Sequence, residues 1–507
     1  MAYESAKTKA PLTVVYPVSG DLLPLIVVLI GIVGIILSIE AGSTVGIIAT
    51  VGLMTSAMLI QILPRLLKNK AGDISFFLLV PTLVSAFQNV YLSFVSDEID
   101  PSNLQLVVVM NFLYSGALFL VLVAKKKPTF DVARTAFTRS ITTYFVILVV
   151  YALATTAIFR PELASALASA RNIVAPFLFF LIGIHASAWA RTNTYLRYLV
   201  WLGLAAVVFG LLETNIPHFW QSIGLADLWE KKGIPVNPET GIPSNFYSSE
   251  QFNGSLTRRM AGPFADPVNF GTFLFSAFMA AWFLKKRFSS LFVVLGIAFA
   301  VSKGAALGLL TFLALWTRYY TSRFNHVIAI AAVIVAALAF YVFSLGSSTG
   351  STTAHINGLL AGFFELPQHP LGRGLGSTGV LAGLFSEGAE SGSNIEESGL
   401  GMILGQLGVV GFGLYILFFV KLGRYIFTIE DLRSRLLAGG LLGGFILNAA
   451  FNEVALSPNS AATYFIILGL VIGTNLQNNP DFTSPQRRTV SGANRWGVLA
   501  RKPGLSR

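Results

Sequence analysis

The sequence has no cysteine, only five histidines, and a charged fraction of 12% over 507 residues, about half that of an ordinary soluble domain. Without cysteine there can be no disulfide, thiolate metal site, iron–sulfur cluster or cysteine nucleophile. The histidines, at positions 185, 218, 326, 355 and 369, form no H-E-x-x-H pair or other metal-ligand spacing, so neither a metal nor another cofactor is expected. So little charge cannot solvate the surface of a chain this long. Soluble, disordered and fibrous classes are set aside on that ground.

What the chain does have is apolar sequence: 54% hydrophobic residues and a mean hydropathy of +0.69. Runs long enough to span a bilayer recur at about 22–39, 43–63, 75–95, 104–124, 138–158, 172–190, 198–213, 268–284, 288–301, 304–317, 326–345, 399–420, 436–452 and 460–476. The expected fold is all-α, a polytopic integral membrane protein of about fourteen transmembrane helices. A cytoplasmic N-terminus and strict alternation put Arg65, Lys68 and Lys70, Lys125 to Lys127, Arg134 and Arg139, Lys285 to Arg287, Arg433 and Arg435, and the basic tail all inside. Under this N-in/C-in topology the inner side carries 27 basic and 7 acidic residues, net +20, and the outer side a net −9. The overall +11 then reflects the insertion rule and an anionic leaflet, so membrane lipids are expected as partners and nucleic acid is not.

The resulting organisation is a leader over 1–21 without an A-x-A cleavage site, a first bundle over 22–213 and a large extracytoplasmic loop over 214–267. Further spans follow over 268–345, then a second large loop over 347–398, closing spans over 399–476 and a disordered tail over 477–507. No internal repeat relates the two halves. The two loops are where function is expected. In the second, Thr352 to Glu365 follows helical spacing through Ile356, Leu359, Leu360 and Phe363, is stopped by Pro367 and Pro370, and reads as a helix on the membrane surface. Glycines 372, 374 and 376 then permit tight turns close to a ligand.

Eight cations sit on the side where the insertion rule disfavours them: Arg160, Arg171, Lys231, Lys232, Arg258, Arg259, Lys303 and Arg373. Arg171, Arg258, Arg259, Lys303 and Arg373 abut spans or glycine turns and could converge on one anion, since guanidinium forks match phosphate oxygens. Each could equally snorkel to headgroups or pair with an external acid. The adjacent Glu396 and Glu397 stand just before a span, where a low dielectric can raise a carboxyl pKa and make a general base. Helix-dipole stabilisation with Ser393 or Asn394 as cap would place acids there too. Polar residues within spans, including Gln88, Asn89, Gln406 and Asn448, read as interhelical glue.

Four segments occur in an order that resembles a known family. These are Arg258-Arg259-Met-Ala-Gly262-Pro-Phe-Ala-Asp266-Pro267-Val-Asn269-Phe-Gly271, Ser302-Lys303-Gly304, Pro370-Leu371-Gly372-Arg373-Gly374-Leu375-Gly376, and Glu397-Ser398 followed by Gly408-Val-Val-Gly411. Together they are similar to the signature domain of the O-antigen ligase and repeat-unit polymerase superfamily, over about 255–415. The resemblance implies a bacterial inner-membrane glycosyltransferase that uses a polyprenyl-diphosphate-linked oligosaccharide as donor and acceptor, with its active site outside. It also implies a flippase and a chain-length regulator as pathway partners. Arg258, Arg259 and Arg171 would bind the diphosphate, Arg373 support it from the glycine loop, Lys303 position the loop ends, and Glu397 or Glu396 take the acceptor proton. Trp220, Trp229, Phe246 and Tyr247 could stack on sugars, or form an interfacial belt. The ligase branch has a histidine where this chain has Glu397, which favours a polymerase over a ligase. A lipid-linked oligosaccharide flippase is the rival of another class. It would place cations within spans of two similar halves, whereas here the polar residues gather in two unlike loops.

Overall fold

A computed structural model describes residues 22–67, 73–125, 135–232, 234–252, 255–347, 351–379 and 397–478. The expected leader, most of the expected tail, Lys68, Lys70, Lys126, Lys127, Arg134 and Glu396 lie outside the described residues. The chain is an all-α polytopic membrane protein. It opens with seven long helices: α1 (Leu22–Glu40), α2 (Thr44–Leu67), α3 (Ser75–Ser93), α4 (Pro101–Ala124), α5 (Ala136–Phe159), α6 (Leu163–Ala186) and α7 (Thr192–Asn215). Two short helices, α8 (Phe219–Ser222) and α9 (Leu225–Lys231), and two antiparallel ribbons follow. In the ribbons, β1 (Val236–Asn237) pairs with β2 (Ile242–Pro243), and β3 (Tyr247–Phe252) with β4 (Ser255–Arg258).

The helices then resume as α10 (Pro267–Phe283), α11 (Arg287–Ala300), α12 (Lys303–Tyr320) and α13 (Arg323–Ser347). The second loop contains α14 (Ser351–Glu365), and the chain continues through α15 (Gly399–Ile426), α16 (Leu432–Phe451) and α17 (Pro458–Asn478). Among the described residues nine helices are long and apolar enough to cross a membrane: α1, α2, α3, α5, α6, α7, α15, α16 and α17. Each of the fourteen apolar runs falls on a helix. The largest discrepancy is at α6, which begins at Leu163 rather than about 172, because Ser165, Ser169 and Arg171 dilute the hydropathy of its first turns. Arg171 is therefore well inside a helix and not at its edge.

The peripheral helices α1, α2 and α5 bury a narrow stripe, whereas α17 is buried on nearly every side. Lipid is as apolar as leucine, so helices in a bilayer associate through close packing of small residues. Gly183 of α6 and Gly469 of α17 supply it: an added Cβ would stand 2.4 Å from the Ile466 carbonyl oxygen at the first and 2.4 Å from that of Phe180 at the second. The two helices run parallel in this register, so Pro458, eleven residues before Gly469, stands level with Arg171. At a rise of 1.5 Å per residue, α17 starts about 12 Å below the start of α6. The α16–α17 connection, a 3-10 turn over Glu453–Leu456, is thereby recessed into one end of the bundle, against α6, α10 and α15.

The glycine segment fills a break in α15. Gly408 has φ 56° and ψ −152°, a region open essentially to glycine alone, and its kink frees helical carbonyls. The Arg373 N–H donates to the Gly405 carbonyl at 2.9 Å, the Gly374 N–H to that of Gln406 at 3.0 Å, and the Val409 N–H to that of Pro370 at 2.9 Å. The buried Gln406 side chain continues the clamp, accepting from the Gly376 N–H and donating to the Thr378 carbonyl and to Ser169. Glycines 372 and 376 thus serve close approach to protein backbone: a Cβ on Gly372 would lie 2.3 Å from the Gln406 carbonyl oxygen. The ligand-facing turn expected of them is corrected accordingly. Likewise α14 is no free surface helix, because Gly358 and Gly362 form a flat face on which Gly401 of α15 sits.

Gly408→Ala should lower stability by about 3 kcal/mol, whereas Gly413→Ala, at a helical glycine with nothing within 4 Å of the added Cβ, should be neutral or stabilising. Thermal unfolding of the two purified variants in detergent measures the difference.

Candidate functional site

The recessed end of the bundle collects most of the candidate side chains, beginning with the two adjacent arginines at the end of β4. Side chains alternate along an extended chain, and Arg258 and Arg259 point to different partners. Arg258 reaches Glu213, the fully buried last acid of α7, with Nη2 3.0 Å from Oε2, and its guanidinium lies 4.8 Å from the Phe246 ring centroid. Burial lowers its pKa below the ordinary arginine value, and Glu213 counteracts that shift. The same carboxylate accepts from Trp220 Nε1 and, at 2.8 Å, from the Ala261 N–H. Glu213 therefore staples the first loop to the bundle. Trp220, Trp229 and Phe246 are buried with it as the core of the loop, beneath α3, and are not placed to stack on a sugar.

Arg259 turns the other way. Its Nε donates to the Ala300 carbonyl at 3.0 Å and its Nη1 to that of Asn245 at 3.3 Å. Ala300 closes α11, two residues before Ser302, so Arg259 stands beside the Ser302-Lys303-Gly304 turn. That turn is fixed by tight packing: Ser302 covers Gly271, Gly304 meets the Asn448 side chain, and the Ser302 hydroxyl caps α12. Lys303, at the first position of α12, acts electrostatically on Glu397, lowering a carboxyl pKa that burial raises above the ordinary range. The Glu397 carbonyl accepts from the Glu453 N–H at 2.9 Å, and its Oε2 lies 3.1 Å from Nδ1 of His355 on α14. The next residue, Ser398, caps α15 and donates to the Ala450 carbonyl, which fixes the backbone of Glu397.

A second group lies between α3, α6 and the loop. Arg171 lines a small cavity with Ser85, Gln88, Ser115 and Asn459, into which the N-terminus of α17 opens. Lys232, just after α9, donates to Asn89 Oδ1 and lies 4.9 Å from the Trp229 ring centroid. Burial pushes its pKa down to about 7, Arg171 lowers it further by repulsion, and Asp266 opposes both. Asp266 in turn accepts from Asn269 Nδ2 at 2.6 Å, and Asn269 Oδ1 accepts from Ser457 and Ser460 at the head of α17. The P-x-N segment is thus the floor between the two cationic groups.

The structure therefore sets Arg259 beside the 302–304 turn, Lys303 within electrostatic reach of Glu397, and Arg171 within electrostatic reach of Lys232. Arg258 is committed to Glu213, and Arg373 to Glu365, with Nη2 2.8 Å from Oε2. Sequence reasoning missed Glu213, Glu365, His355 and Glu453 as members of this region. Glu453 carried a usable signal, being a single acid directly after an apolar span and buried in the recess. Among the described residues no group of three or more His, Asp or Glu side chains is arranged to hold a metal. No protein-family model matches the chain, and no curated protein matches it.

Glu213→Ala strips three donors of one buried acceptor and should destabilise the protein by about 3 kcal/mol. A lower melting temperature and faster proteolysis between 216 and 252 are the readouts. Lys232 has a folded pKa, about 7, below its unfolded value, so the unfolded chain binds the extra proton between them and stability rises with pH there. The wild-type melting temperature should climb from pH 7 to pH 9 relative to Lys232→Met, and parallel curves would contradict this.

Proposed function

We propose that this chain is a bacterial inner-membrane glycosyltransferase that joins polyprenyl-diphosphate-linked oligosaccharide repeat units into a surface polysaccharide. The observation that carries the reading is the convergence of four segments distant in sequence. The residues around Arg259, the 302–304 turn, the glycine segment and Glu397 all pack about one recess, in the order that the superfamily resemblance requires. The N-in topology expected from the distribution of basic residues would put that recess on the outer face, where a polymerase meets its lipid-linked substrates.

The chemistry asked of the recess is displacement at an anomeric carbon. The acceptor hydroxyl oxygen forms the new glycosidic bond, the bond to the diphosphate breaks, and the electron pair leaves on the polyprenyl diphosphate. Cations stabilise that departing charge in a water-poor site, where fixed charges act more strongly than in water. Arg259 and Lys303 are proposed for this on one side, with Arg171 and Lys232 on the other. The hydroxyl proton goes to the Glu397 side of the recess, where a partly buried carboxyl has its proton affinity raised. Arg258 and Arg373, each ion-paired within the protein, support the walls.

Arg259→Ala and Glu397→Gln should each cut the rate by about a hundredfold and collapse the surface polysaccharide to single repeats in a strain relying on the variant. Long wild-type chains from both would overturn the site. In vesicles with a lipid-linked repeat unit, the wild-type protein should lengthen the glycan; translocation of an unaltered lipid would identify a transporter instead.

A further inference from the structure

At the end of the bundle opposite the recess, positive charge gathers where the last turns of α10 and α12 meet the first turn of α16. Glycines hold the three helices close: an added Cβ would stand 2.6 Å from Met279 Cε at Gly440 and 2.7 Å from Thr311 Cγ2 at Gly443. Lys285, Lys286 and Arg287 follow α10, Arg318 stands on the last turn of α12, and Arg433 and Arg435 on the first turn of α16. Against these six cations stand Glu430 and Asp431, in the turn before α16, for a net +4. Asp431 interacts electrostatically with Arg433 but is engaged as a helix cap, accepting from the Ser434 N–H at 2.8 Å.

The insertion rule asks only for positive charge on one side, and any lysine in a connection meets it. Arg433 and Arg435 are instead half-buried and held in place. The Arg433 guanidinium carbon lies 5.7 Å from the Trp282 ring centroid, and its Nη1 donates to the Phe283 carbonyl at 3.4 Å. The Arg435 guanidinium carbon lies 5.8 Å from the Tyr319 ring centroid, and Nε and Nη2 both donate to the Ile429 carbonyl. Trp282 is fixed in turn against Phe312, with 4.8 Å between ring centroids. A guanidinium has five N–H donors, so each arginine is anchored through a minority or near-half of its donors and presents the others. Among the described residues neither arginine is ion-paired.

We propose that this junction binds the headgroup of an anionic phospholipid, with Arg433 as the principal ligand of its phosphate and Arg435 and the 285–287 turn as flanking charge. A guanidinium fork matches two phosphate oxygens, and basic pockets between membrane helices suit anionic headgroups. Trp282 and Tyr319 are rings of the kind that settle where headgroup meets acyl chain. Phe288, directly after Arg287 and 79% exposed, continues the basic turn as an apolar surface for the chains. That adjoining apolar surface favours a lipid over a soluble phosphate. Because α10 begins at the recess floor and ends here, the headgroup site stands or falls apart from the transferase reading.

Native mass spectrometry of the purified full-length protein, titrated in detergent with phosphatidylglycerol or phosphatidylcholine, tests this. The wild type should retain phosphatidylglycerol about thirtyfold more tightly. Arg433→Gln combined with Arg435→Gln should abolish the preference. Arg433→Lys keeps the charge and the insertion signal but not the fork, and should lose most of it; this variant carries the test if the double variant does not fold. Arg191→Gln combined with Arg197→Gln, an equal loss of charge at the start of α7, should retain the preference. Equal retention of the two lipids by the wild type would overturn the proposal, as would an unchanged preference in the Arg433 variants. A loss of the same size in the α7 variant would reduce the effect to net charge and overturn it too. Inorganic phosphate that displaces the bound lipid at matched concentration would identify a soluble anion as the ligand, against the lipid assignment.

Discussion

Backbone contact between α6 and α17 at Gly183 and Gly469 sets the depth at which α17 begins, and the candidate site is arranged around that depth. In a bilayer, irregular backbone survives only where it is enclosed by protein or lines a cavity. Once α17 starts level with Arg171, the turn before it must find partners inside the bundle. It finds them in α6, α10 and α15, and the floor made by Asp266, Asn269, Ser457 and Ser460 follows.

The break in α15 at Gly408 belongs to the same economy of backbone hydrogen bonds. A kinked helix at this depth exposes carbonyls that lipid cannot satisfy, and the glycine segment supplies N–H groups to them. The loop thus holds the kink open and the kink holds the loop down. Tyr151 adds a tie from α5, donating to the Leu371 carbonyl at 2.7 Å. Arg373 and Glu365 are placed by this arrangement, and so are the walls around the recess.

The helices were largely legible in the sequence, because hydropathy over twenty residues is a summed property that tertiary context rarely reverses. Boundaries failed where a span opens with polar residues, as at Ser165, Ser169 and Arg171. The glycines of 372–376 were legible as special but not as to purpose, since their partners lie some thirty residues away in α15. Arg258 and Arg259 were legible as exceptional cations. That one of them is neutralised depends on Glu213, which reads in the sequence as an unremarkable helix-end acid. His355 was visible only as a loop histidine with no motif, because its meaning lies in a contact across 42 positions of chain.

The opposed directions of Arg258 and Arg259 make parity a property of the first loop. A single residue inserted or deleted in β4 would exchange the two guanidiniums, sending the one that reaches Ala300 into Glu213 and turning the stapling one toward the 302–304 turn. A two-residue change would preserve the assignment. The irregularity in the β3–β4 pairing, between Tyr247 and Gln251, lies on the other strand, where extra length can be taken up without disturbing that count. Two identical neighbours in the chain are therefore not interchangeable: which arginine anchors on Glu213 and which reaches Ala300 and Asn245 is decided by odd and even.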